Sequence, residues 1–194
     1  MDKLKIKLAG ESPLLMHSDR GANPLDPETK RHKALTSKRK KTDEDHEAIA
    51  RSEWKLSLYH DKKLGPYLPT TNIRSAIVNG GKINKLGSAI QKGTLILADR
   101  AAVNYKGPRD PDELWDSQAY TDCRSVVVGQ SRLMRYRPVF ETWSLEFELL
   151  YDTTVLDREQ IEQALGNAGR LIGLGDYRPE CGGPFGRFLA EVAS

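Results

Sequence analysis

The sequence predicts a mixed α+β fold built in the order strand, helix, strand, strand, helix, strand. Two periodicities and the chain length carry that reading. Leu4, Ile6 and Leu8 alternate with Lys3, Lys5 and Lys7, and Trp143, Leu145, Phe147 and Leu149 alternate with Ser144, Glu146 and Glu148. A period of two marks a strand with one buried face. Ile73, Ala76 and Ile77 recur at helical spacing, as do Ile161, Ala164, Leu165, Ala168, Leu171 and Ile172. At 194 residues the chain is long enough to bury a core without a disulfide or metal staple.

The first strand ends at Glu11-Ser12-Pro13. A polar stretch follows, with turn signals at Asn23-Pro24 and Asp26-Pro27 and a basic run from Lys30 to Lys41. Its composition predicts a loop, mobile over 18–41 in the free protein. Thr42, followed by Asp43, Glu44 and Asp45, starts a helix whose acids oppose the dipole. Ile49, Ser52, Leu56 and Tyr59 mark its inner face, and Lys62 to Pro66 ends it. Tyr67-Leu68-Pro69 leads into a helix capped by Thr70, Thr71 or Asn72 and stopped by Gly80-Gly81. Thr94–Ala98 and Ala101–Val103 read as strand, broken near Asp99-Arg100.

Asp110 to Asp122 holds five acids and reads as a solvated connector around Leu114 and Trp115. Arg124–Val128 and Leu133–Phe140 form the arms of a hairpin turning at Gly129-Gln130-Ser131. Asp157 caps the last helix, and a Gly-rich segment, 173–183, leads to a short strand over Phe185–Val192. Stripped of insertions, the order is that of a ferredoxin-like, RRM-like β-α-β-β-α-β palm over about 1–12, 67–105 and 141–194. The insertions span about 13–66 and 106–140, within one domain covering 1–194.

Thirty Lys and Arg stand against 27 Asp and Glu, so the net charge of +3 says little and its distribution must decide. From Thr29 to Lys41 there are seven basic residues and no acid, and from Cys123 to Phe140 four arginines and no acid. A phosphate backbone needs such local cationic surface, because each neutralised phosphate releases counterions. The planar arginine fork suits phosphates, and Tyr136 lies among the arginines as a ring on which a single-stranded base can stack. The candidate nucleic-acid-binding residues are therefore Arg20, Lys38, Arg39, Lys40, Lys41, Arg74, Arg124, Arg132, Arg135, Tyr136 and Arg137. The Gly-rich segment adds Gly175, Arg178, Gly186 and Arg187, since glycine lets a backbone approach phosphates and offers its amides.

Apolar runs never exceed four residues, which argues against a membrane span. The alternating N-terminal stretch is unlike a secretory signal, so a cytoplasmic protein is expected. Cys123 and Cys181 stand far apart with no partner at metal-ligand spacing. Two reduced thiols, no metal and no cofactor are expected.

Gly173, Gly175, Arg178, Gly183, Gly186, Arg187 and Phe188 resemble the glycine-rich signature of the RAMP superfamily, proteins that bind guide RNA in CRISPR effector complexes. Tyr67 to Ile77 is similar to that superfamily's Pro-Gly-Ser-Ser segment at the start of the first helix, with Thr70 and Ser75 where it carries Gly. The whole chain also resembles small stand-alone members encoded by bacteriophages. The resemblance implies a ferredoxin-like palm with a finger-like region at 13–66 and a thumb-like hairpin at 123–140. It also implies subunits that stack along single-stranded nucleic acid. The expected protein is non-catalytic and coats RNA or single-stranded DNA largely without regard to sequence, self-associating into a homo-oligomer or filament, in the host cell's cytoplasm if phage-encoded.

Some RAMP relatives cleave RNA with a histidine or a loop aspartate. His17, Asp19 and Asp26 are the candidates here, although a lone His or Asp in a polar loop is more often structural. Two alternatives follow: a RAMP-type endoribonuclease built on those residues, and an interaction protein that mimics or inhibits a CRISPR backbone subunit.

Overall fold

The computed structural model describes residues 1–193, and at Val128 the backbone alone. In chain order its elements are β1 (Asp2–Gly10), β2 (Leu14–Leu15), α1 (Pro27–Thr36), α2 (Asp43–Ser57), β3 (His60–Asp61), β4 (Gly65–Pro69), α3 (Thr70–Lys82) and α4 (Gly87–Gly93). There follow β5 (Thr94–Ile96), β6 (Arg100–Ala102), α5 (Pro111–Asp116), β7 (Thr121–Val128), β8 (Ser131–Phe140), β9 (Ser144–Tyr151), α6 (Arg158–Asn167) and β10 (Phe188–Ala193). The fold is mixed α+β with several antiparallel sheets. It divides into two compact units: Met1–Leu14, Asp61–Lys106 and Phe140–Ser194 form the first, Leu15–His60 and Gly107–Val139 the second.

The first unit is organised by a four-stranded sheet in the order β10-β1-β9-β5, each neighbouring pair antiparallel. The alternation read from the sequence sets its faces. Leu4, Ile6 and Leu8 are buried with Leu145, Phe147 and Leu149, while Lys3, Lys5 and Lys7 stand opposite Leu150, Glu148 and Glu146 on the outer face. Ile73 and Ile77 of α3 and Ile161 and Leu165 of α6 complete this core.

Gly80 and Gly81 do not stop α3, which runs on to Lys82. Gly80 is there for packing: a Cβ on it would lie 2.3 Å from the Ala164 carbonyl oxygen of α6. Nor do Thr70, Thr71 or Asn72 cap α3; Pro69 takes that place without a side-chain bond, and Thr70 Oγ1 donates to the Ala98 carbonyl at 2.5 Å. Asp157 caps α6 as expected, in a reciprocal box with Gln160. After Asn167 the helix widens to a π turn over Ala168–Ile172, which shifts the phase and leaves Leu171 exposed. The break at Asp99-Arg100 sends β5 to β9 and β6 to β4. Helix α2 ends at Ser57, earlier than expected, and Lys62–Pro66 belongs to a turn and strand instead. There the Asp61 carboxylate accepts the Lys63 and Leu64 amides at 2.8 and 3.1 Å.

In the second unit the stretch read as a mobile loop contains a 3-10 turn, Asp19–Ala22, and helix α1. Asp26-Pro27 is a helix start: Asp26 accepts the Glu28 and Thr29 amides, and Pro27 opens the first turn, where its missing N–H costs nothing. Thr42 and Asp45 form a capping box on α2. The buried face of α2 is Ala50, Ser52, Trp54 and Ser57, with Ile49, Leu56 and Tyr59 only half-buried. Trp54 donates to the Tyr120 carbonyl at 3.0 Å and meets Trp115 edge-on at 5.9 Å. The acid-rich connector is thus partly helix: Asp110 caps α5, whose Leu114 and Trp115 are buried. No described helix is long and apolar enough to cross a membrane.

Candidate nucleic-acid interface

The hairpin of β7 and β8 forms with a two-residue turn, in which Gly129 takes φ +62°, a conformation that favours glycine. Its register divides the candidate residues. Asp122 faces Arg137, Arg124 faces Arg135 and Val126 faces Leu133, so these six side chains share one side of the hairpin. Arg132, Met134 and Tyr136, opposite Val127, Ser125 and Cys123, lie on the other.

On the first side Arg124 and Arg135 are neutralised by acids. Arg124 Nε donates to Asp122 at 2.6 Å, and Arg135 Nη1 donates to Glu53 of α2 at 2.6 Å. The Tyr136 amide adds a 3.3 Å bond to the same Glu53 carboxylate. On the second side Tyr136 is half-buried and its ring lies 6.3 Å from that of Trp115. Its hydroxyl is pushed above the ordinary tyrosine value, first by a hydrogen bond with the Cys123 side chain and then by burial. Arg132 is exposed.

The basic run is helix α1 and the segment after it. Lys30, Arg31, Lys33 and Lys38 through Lys41 are all exposed. Lys38 pairs with Asp45, holding that carboxyl below its ordinary value, and Lys41 Nζ donates to the Lys38 carbonyl at 2.7 Å. Among the described residues, Lys30, Arg31, Lys33, Arg39 and Lys40 form no ion pair. Thr29 and His32 point the other way, Thr29 Oγ1 donating to the Arg20 carbonyl at 2.9 Å and His32 Nδ1 lying 3.3 Å from Ser52 Oγ.

The Gly-rich loop lies in the first unit, and most of its amides are bonded within the protein. Gly173 donates to Ala168, Leu174 to Gly186, Gly183 to Arg178 and Gly186 to Pro13. Gly186 has φ +70°, and a Cβ there would meet the Leu174 carbonyl oxygen at 1.8 Å, so its glycine is required by packing. Arg178 binds Glu180 at 2.6 Å and the Gly175 carbonyl at 3.3 Å. Arg187 donates to the Arg170 carbonyl, and Arg74 to the Gln91 carbonyl.

Of the candidate catalytic residues, Asp26 caps α1 and holds Arg20 through bonds of 3.1 and 3.3 Å. Burial pushes its carboxyl up, but the Thr29 amide and Arg20 outweigh burial and keep it below the ordinary range. Asp19 is exposed in the first turn of the 3-10 segment. His17 lines a pocket of the second unit together with His32, Glu53, Arg135 and Arg137. Sequence reasoning left His32 and Glu53 out of the site. Glu53 stands 82 residues from its Arg135 partner, and nothing local marks it. His32 belongs to the inner side of a helix too polar to show a period. Among the described residues no three His, Cys, Asp or Glu side chains gather to hold a metal.

Compared with known proteins, the chain matches no family model and no curated protein.

Proposed function

We propose that the protein is a non-catalytic binder of single-stranded nucleic acid that reads phosphates rather than base edges and lines up copies along the strand. The observation that carries this reading is the exposed set Lys30, Arg31, Lys33, Arg39 and Lys40, cations that form no ion pair among the described residues and lie in a stretch lacking acids. Such a surface gains free energy by releasing counterions from a polyanion. Arg132 adds a further exposed guanidinium.

The sheet order β10-β1-β9-β5, with α3 following β1 and α6 following β9, supports reading the first unit as a ferredoxin-like palm of RAMP type. The outer face of that sheet bears Lys3, Lys5, Lys7, Glu146, Glu148 and Glu191 and no aromatic side chain, while Phe147 and Tyr151 are buried. RNA-recognition modules stack bases on aromatics of that face, so readout by stacking there is disfavoured and sequence-independent binding is favoured. Stacking of copies along the strand rests on the RAMP resemblance.

Fluorescence anisotropy with labelled oligonucleotides of varied sequence, length and strandedness tests the proposal. Single strands of different sequence should bind within about tenfold of one another, near 1.4 kcal/mol, and longer strands should bind cooperatively. A duplex preference, or a hundredfold preference for one sequence, overturns it.

A further inference from the structure

We infer that the free edge of β7 pairs with β7 of a second copy of the chain, antiparallel and about a two-fold axis at Ser125. The hydrogen-bond pattern fixes which backbone groups of β7 face outward. The Val139 amide donates to the Tyr120 carbonyl at 3.0 Å, so the alternate residues Asp122, Arg124 and Val126 bond to β8. Cys123, Ser125 and Val127 therefore turn their amides and carbonyls away from β8. The far side of β8 has the matching pattern. The Tyr136 amide, opposite Cys123, donates to Glu53, and the Pro138 carbonyl, opposite Thr121, accepts the Met16 amide at 2.8 Å. Among the described residues no bond from outside the hairpin reaches the outward backbone groups of Cys123, Ser125 and Val127.

The other sheet edges are short or covered. Strands β2, β3, β5 and β6 have two or three residues each, and on β10 Arg158 Nη2 donates to the Val192 carbonyl at 3.0 Å. Strand β7 runs for 8 residues with neither Pro nor Lys. Its Val127 is 65% exposed, and Met134 and Leu133 of the same hairpin are 52% and 44% exposed. An uncovered edge of this kind is a template for another strand.

A second copy is the occupant because β7 complements itself. With Ser125 on the axis, Cys123 meets Val127 of the second copy, Ser125 meets Ser125, and Val127 meets Cys123. These pairs use all the outward groups, with two bonds in each pair. Arg124 then faces Val126 rather than its own counterpart. Centring the pairing on Arg124 would set Arg124 against Arg124, where like charges repel. Centring it on Cys123 would leave Val127 uncovered and call on the Thr121 amide, which already donates to the Gln118 carbonyl at 3.4 Å. A contact of the same patch on both copies closes at a dimer. It needs no nucleic acid, so it goes beyond the strand-binding reading above.

Sedimentation equilibrium of the full chain without nucleic acid tests the proposal. The average mass should rise with concentration from 21.8 kDa toward twice that value. Ser125→Pro removes an outward amide without touching the ladder to β8, and Val127→Lys places a charge on the edge. Each should weaken dimerisation at least about tenfold. With Cys123 and Cys181 replaced by Ser, Ser125→Cys should crosslink on mild oxidation, because opposed Cα atoms in such a pair lie about 5.5 Å apart. A chain that keeps Cys123 as its one thiol should not crosslink. A parent that stays monomeric, a dimer unmoved in both folded variants, or crosslinking through Cys123 but not through Ser125→Cys overturns the proposal. Strand binding, read by anisotropy on the monomeric Ser125→Pro variant, stands or falls separately.

Discussion

Arg124 and Arg135 stand directly opposite each other across the β7–β8 ladder, and each is held by a different carboxylate, Asp122 and Glu53. Like charges in that position repel. The hairpin tolerates them because one acid comes from the same strand and the other from α2. A stretch free of acids in sequence is therefore not free of them in space, and the cationic surface left over is mainly that of α1 and the segment following it.

Glu53→Gln should consequently destabilise the second unit. The Glu53 side chain is only 16% exposed, and its loss leaves Arg135 facing Arg124 without a counter-charge. A charge-assisted bond of this kind contributes about 1.5–3 kcal/mol, less here because Arg135 is partly solvated. The expected loss is about 1–2 kcal/mol in urea unfolding, and Arg135→Gln added to Glu53→Gln should recover part of it. A single variant as stable as the parent would show that the pair contributes nothing.

Gly80→Ala probes the contact between α3 and α6. Alanine is the better helix former by about 1 kcal/mol. Its Cβ would nevertheless lie 2.3 Å from the Ala164 carbonyl and 2.6 Å from the Ala168 amide, both backbone atoms that move only if the helices separate. Overpacking of this kind costs about 1–3 kcal/mol, so the variant should melt several degrees lower. A rise in melting temperature would mean that propensity wins and the approach is not tight.

Legibility in the sequence followed burial. Strands β1 and β9 stand where a strict alternation of Leu or Phe with Lys or Glu places them, because one face is buried and the other is wet. Helix α6 follows from Asp157 and its apolar stripe up to the π turn, which no sequence period announces. Helix α1 is invisible to periodicity because Thr29 is its only buried side chain; only the Asp26-Pro27 cap marks it, and that dipeptide also reads as a turn. Glu53 and the division of Arg132 and Tyr136 from Arg124, Arg135 and Arg137 depend on register and on a helix packed from afar. The Gly-rich loop was readable as glycine-dependent, but the same letters serve a phosphate cradle and a loop whose amides are taken up by the protein's own carbonyls, as those of Gly173, Gly183 and Gly186 are by Ala168, Arg178 and Pro13.

Acid should weaken the second unit through its paired carboxylates. The Asp112 carboxyl lies below its ordinary 3.8 because Lys55 donates to it, and Arg51 next. The folded chain therefore binds this proton less tightly than the unfolded chain. Its stabilisation is full above 3.8 and is lost as the pH falls through the lower folded value. Asp112→Asn should be less stable than the parent at neutral pH, and the two should converge in acid, once the pH lies below the folded value. Urea unfolding at both pH values checks this; a gap that persists in acid would assign the effect to packing of α5 instead.

The exposed cations give the final prediction, which bears on the proposed function itself. Affinity for a single strand falls with salt by a slope of about 0.7 per phosphate neutralised. Lys30, Arg31, Lys33, Arg39 and Lys40 are exposed and form no ion pairs among the described residues, so each is available to a phosphate without first breaking an ion pair. Lys38 must first leave Asp45. Replacing the five by Ala should flatten the plot of log affinity against log salt by up to about 3.5, equally for all sequences, whereas Lys38→Ala alone should change the slope by less than any one of the five. Anisotropy titrations at several salt concentrations measure both. An unchanged slope in a folded five-site variant would remove α1 and its following segment from the binding surface, and a larger effect from Lys38 would mean that its pairing with Asp45 opens on binding.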